Sequence, residues 1–265
     1  MSSTTSTYKR ITGSHKFQTR FGVAVRLVVA LILIIFSIFP VLWIVSASLD
    51  PTNSLATQSL IPKNFGLQNF SRLFGRDPSY QFGDISYWRW WFNSIKISGI
   101  TTILSLSITT MAAYAFSRLR FRGRQALLKA ILLIQVFPNL LALVAIYLLI
   151  FETGKIIPML GLNTHAGLIM VYLGGSMGMN IWLMKGFLDT IPRAIDESGM
   201  VDGASHFQIF FTLLLPLLRP ILVVIGILSF IGTYGDFILA RILLTDANQF
   251  TLMVGLQIFT AGQFD

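Results

Sequence analysis

The chain has 265 residues, 54% hydrophobic and 12% charged, with 20 Lys and Arg against 11 Asp and Glu and no cysteine. Its apolar residues fall in uncharged blocks longer than about 18 residues, which excludes a soluble domain built on one amphipathic core. The formal charge of +9 sits beside those blocks and not in a separate basic domain, which argues against nucleic-acid binding. Without thiols, disulfides and thiolate metal sites are ruled out.

Residues 1–26 carry Lys9, Arg10, Lys16, Arg20 and Arg26 with no acidic residue among them. The uncharged block Leu27 to Leu49 follows. At about 1.5 Å per residue it crosses a hydrocarbon core of about 30 Å. Ser46, Ala47 and Ser48 imitate a cleavage site, but the block exceeds the roughly 7 to 15 residues of a signal-peptide core, so an uncleaved anchor, kinked at Pro40, is expected. Further helical spans are expected at Ile97 to Phe116, Ala130 to Phe151, Ala166 to Met184 and Ile221 to Ala240.

Arg118, Arg120, Arg122, Arg124 and Lys129 fill the turn after the second span. The positive-inside rule then places the N-terminal segment and this turn in the cytosol. Residues 50–91 lie outside, where Trp88, Trp90 and Trp91 suit an interfacial aromatic belt; sugar stacking is the alternative. Alternation puts Glu152 to His165 outside, Lys185 to Arg219 inside and Arg241 to Asp265 outside. Five spans leave the last residues on the outer side, so a sixth span is expected beyond Asp265.

Between the fourth and fifth spans, residues 190–219 contain structure of their own. Thr190 can cap a helix, Pro192 suits its first turn, and Asp196 and Glu197 fall early enough to meet the positive end of its dipole. Gly203 suits a left-handed end, and Ser205 with Gln208 has capping-box spacing for a second helix toward Leu215. Pro216 and Pro220 interrupt the pattern before the fifth span. Phe207, Ile209, Phe210 and Phe211 make the second helix too apolar for a solvated connector.

Polar residues inside the spans are pathway candidates: Gln135 and Asn139 around Pro138, Asn180, Tyr234 and Asp236. Helix-to-helix hydrogen bonding is the competing role for the amides, while an ionisable Asp236 calls for water, a partner or the outer interface. Gly174 and Gly178 have the spacing of a close helix contact. No phosphate-binding G-x-x-x-x-G-K-[ST] and no H-E-x-x-H occurs, and His15, His165 and His206 are too scattered for a local metal-ligand set. A DNA-reading helix-turn-helix at 191–214 is disfavoured by its acidic balance and its tether between spans.

The run Glu197, Ser198, Gly199, Met200, Val201, Asp202, Gly203, Ala204, followed by Leu215 and Pro216, resembles the EAA loop of binding-protein-dependent ATP-binding-cassette (ABC) importer permeases. Ser198 and Gly199 stand where that pattern has two alanines. Ala113 to Arg118, Leu162 to Gly167, Tyr172 to Gly175 and Lys185 to Pro192 extend the resemblance to the maltose/maltodextrin permeases of that family. The resemblance implies an all-α, polytopic, MetI-like transmembrane domain: a permease domain over 27–240, with its coupling loop at 190–219, and an extracytoplasmic segment at 241–265. It implies a bacterial inner-membrane location. It also implies a second, homologous permease, two ATPase subunits that use ATP and magnesium, and an extracytoplasmic sugar-binding protein, with no cofactor bound directly and no enzymatic activity in this chain. Asp196 through Ser205 would seat in the ATPase, with Glu197 paired to a basic group there and Gly203 allowing close approach. Another sugar or a polyol is the alternative cargo; a secondary transporter is the alternative drive.

Overall fold

The structure is a computed structural model that describes the backbone of residues 4–51, 62, 64–74, 87–136 and 139–261, with side chains described for 22–51, 62, 64–74, 87–136 and 141–257. Among the described residues every regular element is helical. The chain divides into two units, residues 1–81 and 82–265.

The first unit is dominated by α1, Thr4–Ser48, which runs through Pro40 as one helix. Its side chains from 23 to 42 are exposed all round, and most are Val, Leu, Ile or Phe. A helix that is apolar on every face and uncovered by protein is suited to lipid, where its backbone bonds are satisfied internally. Asn69, in the short α2 (Gln68–Leu73), donates from Nδ2 to the carbonyls of Ser48 and Asp50 at 3.2 and 3.0 Å, which satisfies acceptors left open at the end of α1. Most of the expected outer segment 50–91, namely 52–61, 63 and 75–86, lies outside the described residues.

The second unit is organised around α3, Tyr87–Arg118, which packs along α6, His165–Thr190, and α9, Arg219–Tyr234. α1, α3 and α6 are long and apolar enough to cross a membrane. So, taken together, are α8, His206–Leu217, and α9, which meet at a bend of 75°.

Two of the expected single spans are broken. Instead of one helix from Ala130 to Phe151 there are α4, Arg124–Val136, a 3-10 turn at Asn139–Ala142, and α5, Leu143–Ile156. Pro138 and the Asn139 side chain lie outside the described residues. A proline lacks the N–H a helix interior needs, which disfavours one unbroken helix there. The expected span Ile221 to Ala240 ends at Tyr234, and α10, Ile238–Leu243, begins after a turn. Asp236 is the cause: its Oδ1 accepts the N–H groups of Leu239 and Ala240 at 3.1 and 3.2 Å, capping the new helix. Within the expected outer segment 241–265, α11, Leu252–Ala261, packs on α3.

Three apolar clusters fill the second unit, the smallest joining Phe116, Leu128 and Ile181; the other two lie at its ends. One joins Ala113, Met184, Leu188, Ile209, Leu214 and Ile225 near the 190–219 loop. The other joins Trp90, Ile97, Ile150, Leu168, Leu244 and Phe250 at the opposite end. Between them Asn180 donates from Nδ2 to Ser229 Oγ at 3.0 Å and to Ser105 Oγ at 3.3 Å, linking α3, α6 and α9. Such interhelical bonds contribute about 0.6 kcal/mol each in a membrane protein.

Candidate functional site: the loop between α6 and α9

α6 ends at Thr190, whose hydroxyl donates to Phe187 O at 2.7 Å, so Thr190 closes α6 and does not cap the next helix as expected. That helix, α7, is Ala194–Val201, with Arg193 at its N-cap and Asp196 and Glu197 in its first turn. It ends as the sequence predicts. Gly203 has φ +79°, its N–H bonds Met200 O at 3.0 Å, and the Ala204 N–H bonds Gly199 O at 2.9 Å. This paired closure requires a left-handed residue, which glycine adopts without strain.

α8 opens with the expected capping box: Ser205 Oγ accepts the Gln208 N–H at 3.3 Å, and the Ser205 N–H donates to Gln208 Oε1 at 2.8 Å. The helix is not uniform, because Ile209–Leu214 is a π-helical stretch. Wider turns of this kind recur at functional sites. Ile209, Phe210 and Leu214 of this stretch are buried, while Phe207, just before it, is exposed.

The face of α7 that packs inward carries Asp196 and Gly199, which are buried. Asp196 Oδ2 lies 2.9 Å from Arg118 Nε at the end of α3. A Cβ on Gly199 would sit 3.0 Å from Ile209 Cγ1 and from Leu213 Cδ1. Glycine in place of the alanine of the resembled pattern thus lets α7 approach α8 more closely. Glu197, Ser198, Met200, Val201, Asp202, Gly203 and Ser205 are exposed and Ala204 is half-buried. Val201 is 87% exposed and Phe207 71% exposed, and the Phe207 and Phe211 rings meet at 4.4 Å. Exposed apolar side chains beside a carboxylate, mounted on two capped helices, form a surface suited to a protein partner.

The pathway candidates whose side chains are described make contacts within the bundle. Gln135 donates to Gly175 O at 3.2 Å and covers buried Gly178, where a Cβ would collide with its amide, while Gly174 faces open space. Tyr234 stacks on Phe230. Asp236 accepts from Tyr172 Oη at 2.9 Å in addition to capping α10. Trp88 and Trp91 are exposed as an aromatic belt needs, but Trp90 is 1% exposed and donates from Nε1 to Ala247 O at 2.9 Å. Trp90 is therefore a packing residue and not a belt residue. Arg118, more than seventy residues before the loop, joins it only through tertiary packing. The offset from Asp196 to Gly199 on one helix face, against Glu197 to Val201 on another, is the signal that separates inward from outward side chains.

Long apolar helices, some uncovered by protein, together with a structured loop that exposes apolar side chains, define a membrane protein. Residues 108–263 match the family described as "Binding-protein-dependent transport system inner membrane component". The chain is 45% identical over 225 residues to the maltose/maltodextrin transport system permease protein MalG of Vibrio vulnificus (strain YJ016), covering 83% of this chain and 75% of the relative. It is 42% identical over 219 residues to the galactooligosaccharides transport system permease protein GanQ of Bacillus subtilis (strain 168), covering 83% and 74%. The fold is also that of a crystal structure of a bacterial ABC transporter involved in import of the acidic polysaccharide alginate, with TM-score 0.73, 23% identity and coverage of 93% of this chain and 86% of that one. The chain belongs to the family of inner-membrane permease components of binding-protein-dependent ABC importers.

Proposed function

We propose that this chain is one permease half of an ATP-driven importer for oligosaccharides of the maltose/maltodextrin type. It pairs with a second, homologous permease. An extracytoplasmic binding protein delivers the sugar, and two ATPase subunits turn over ATP with magnesium, so this chain holds no nucleotide itself. Its N-terminus and the 190–219 loop face the cytosol, as the basic residues around the first two spans favour. Closure of the ATPases carries the docked loops together, and the helices pass that motion to the bundle by alternating access.

The observation that carries this proposal is the exposure of Val201 and Phe207 on the two loop helices, with Glu197 exposed one turn before Val201. An exposed ion pair through Glu197 contributes only about 0 to 1 kcal/mol, so apolar burial supplies the affinity and the charge fixes register. Replacing Val201 and Phe207 together by Asp is expected to lower ATPase co-purification at least about tenfold, as loss of central apolar anchors does. Wild-type retention of the ATPase by that variant would falsify the docking role.

The cargo is tested separately. The relatives named for maltose/maltodextrin transport support that class, while the 42% identical galactooligosaccharide permease supports a galactoside. Uptake of radiolabelled maltose that unlabelled maltotriose suppresses, and that galactooligosaccharide leaves unchanged, is the expected result. The reverse pattern sinks maltodextrin and leaves the drive intact.

A further inference from the structure

We infer that Asp196 is a positioning residue that, through Arg118, makes the docking helix α7 move as one body with α3, so that displacement of the loop reaches the helix lying along both α6 and α9. The inference rests on the docking role proposed above. Sequence connects α7 to α6 and α8 alone; the tie to α3 is made by side chains.

Arg118 Nε and Asp196 Oδ2 are 2.9 Å apart, with side chains only 7% and 9% exposed. Among the described residues the two carboxylate oxygens accept no well-aligned hydrogen bond, so the guanidinium is what compensates the buried charge. The same guanidinium donates from Nη2 to Ile191 O at 2.8 Å, gripping the chain as it leaves α6. Beside it, Ser117 Oγ donates to Asp189 Oδ1 at 2.5 Å, and Lys185 Nζ holds Asp189 Oδ2 at 2.5 Å. Arg193 Nη2 reaches back to Ser117 O at 3.4 Å. One polar joint therefore binds the end of α3, the end of α6 and the start of α7.

A joint of this composition is not what bare stability selects, because desolvation of a buried ion pair offsets much of its attraction and apolar residues hold as well. Apolar contact, such as Gly199 against Ile209 and Leu213, is non-directional and tolerates sliding. Charge at close range resists it. The adjacent carboxylates thus divide the labour: Glu197 is exposed toward a partner and Asp196 is buried toward the bundle.

The test uses the complete importer in lipid vesicles, supplied with both radiolabelled maltose and a galactooligosaccharide. Bound ATPase, ATP hydrolysed and sugar moved per ATP are read together. Asp196→Asn is expected to keep the ATPase and to hydrolyse ATP within about twofold of wild type, while sugar moved per ATP falls about tenfold or more, a typical size for lost coupling between sites. Exchanging the charges, Arg118→Glu with Asp196→Arg, is expected to restore that ratio to within about threefold, since the two sites act as a pair. A wild-type ratio in Asp196→Asn overturns the inference, as does an exchanged variant no better coupled than the single one. Where Asp196→Asn does not assemble, Asp196→Glu decides: reduced sugar per ATP with the ATPase bound supports positioning, and an unchanged ratio assigns a folding role only. A wild-type complex that retains no ATPase removes the docking role, and the inference with it, before any variant is compared.

Discussion

The two ends of the helix bundle are fastened by different chemistry. Near the loop, the tie between α3 and α7 is a buried ion pair, Arg118 with Asp196, and the adjoining surface leaves Val201 and Phe207 uncovered. At the opposite end no buried ion pair is found among the described residues: Arg89 donates to Asn248 Oδ1, and most of the other ties are hydrogen bonds to backbone. Asn93 donates to the carbonyls of Asn248 and Phe250 at 3.0 Å each, and Ser94 Oγ accepts the Leu252 N–H at 2.7 Å. Asn163, at φ +62°, accepts the N–H groups of Thr245 and Asp246 at 3.0 and 2.9 Å. There Trp90 is covered by Ala247 and Gly255. Neutral bonds to backbone satisfy loop groups that would otherwise be stranded, and they close that end by packing. The loop end combines directional charge on the inside with apolar surface on the outside, the arrangement that the proposed docking would use.

Removing the packing at the closed end should have the largest effect. Trp90→Ala is expected to lower stability by about 3 to 5 kcal/mol, the range for losing a buried aromatic, read as a fall in the melting temperature of the detergent-solubilised protein. An unchanged melting temperature would show that Trp90 does not hold that end shut. Next is Gly199→Leu, which forces side-chain volume between α7 and α8 and should cost about 1 to 3 kcal/mol by overpacking. Faster protease nicking between 202 and 206 is the expected sign, and wild-type resistance would contradict the close approach. Smallest is Gly203→Ala, where a Cβ in the left-handed region costs about 1 to 2 kcal/mol. Since a Cβ there meets no neighbour, Gly203→Asn should be milder than Gly203→Ala in the same melting assay. Equal melting for all three glycine-site forms would mean that the turn is not held in this conformation.

Much of the loop was legible in the residues because its signals are local. Gly203, Ser205 with Gln208, and the acidic first turn of α7 act within a few residues of themselves, and each sits where spacing predicts. Long uncharged runs marked α1, α3 and α6 for the same reason. Contacts that depend on partners distant in sequence were not legible. Nothing near Asp236 in the chain indicates its bonds to Tyr172 and to the N–H groups of α10, and the interfacial belt expected to include Trp90 loses it to the cover of 247–255.

By itself, then, the sequence determined that this is an all-helical membrane permease with two short helices opening its 190–219 loop, because hydropathy, helix caps and turn residues are properties of contiguous segments. Tertiary structure alone decided which of two neighbouring carboxylates is presented and which is buried. That choice depends on Arg118, brought to Asp196 by the packing of α3 along α6, and no spacing within the loop encodes it.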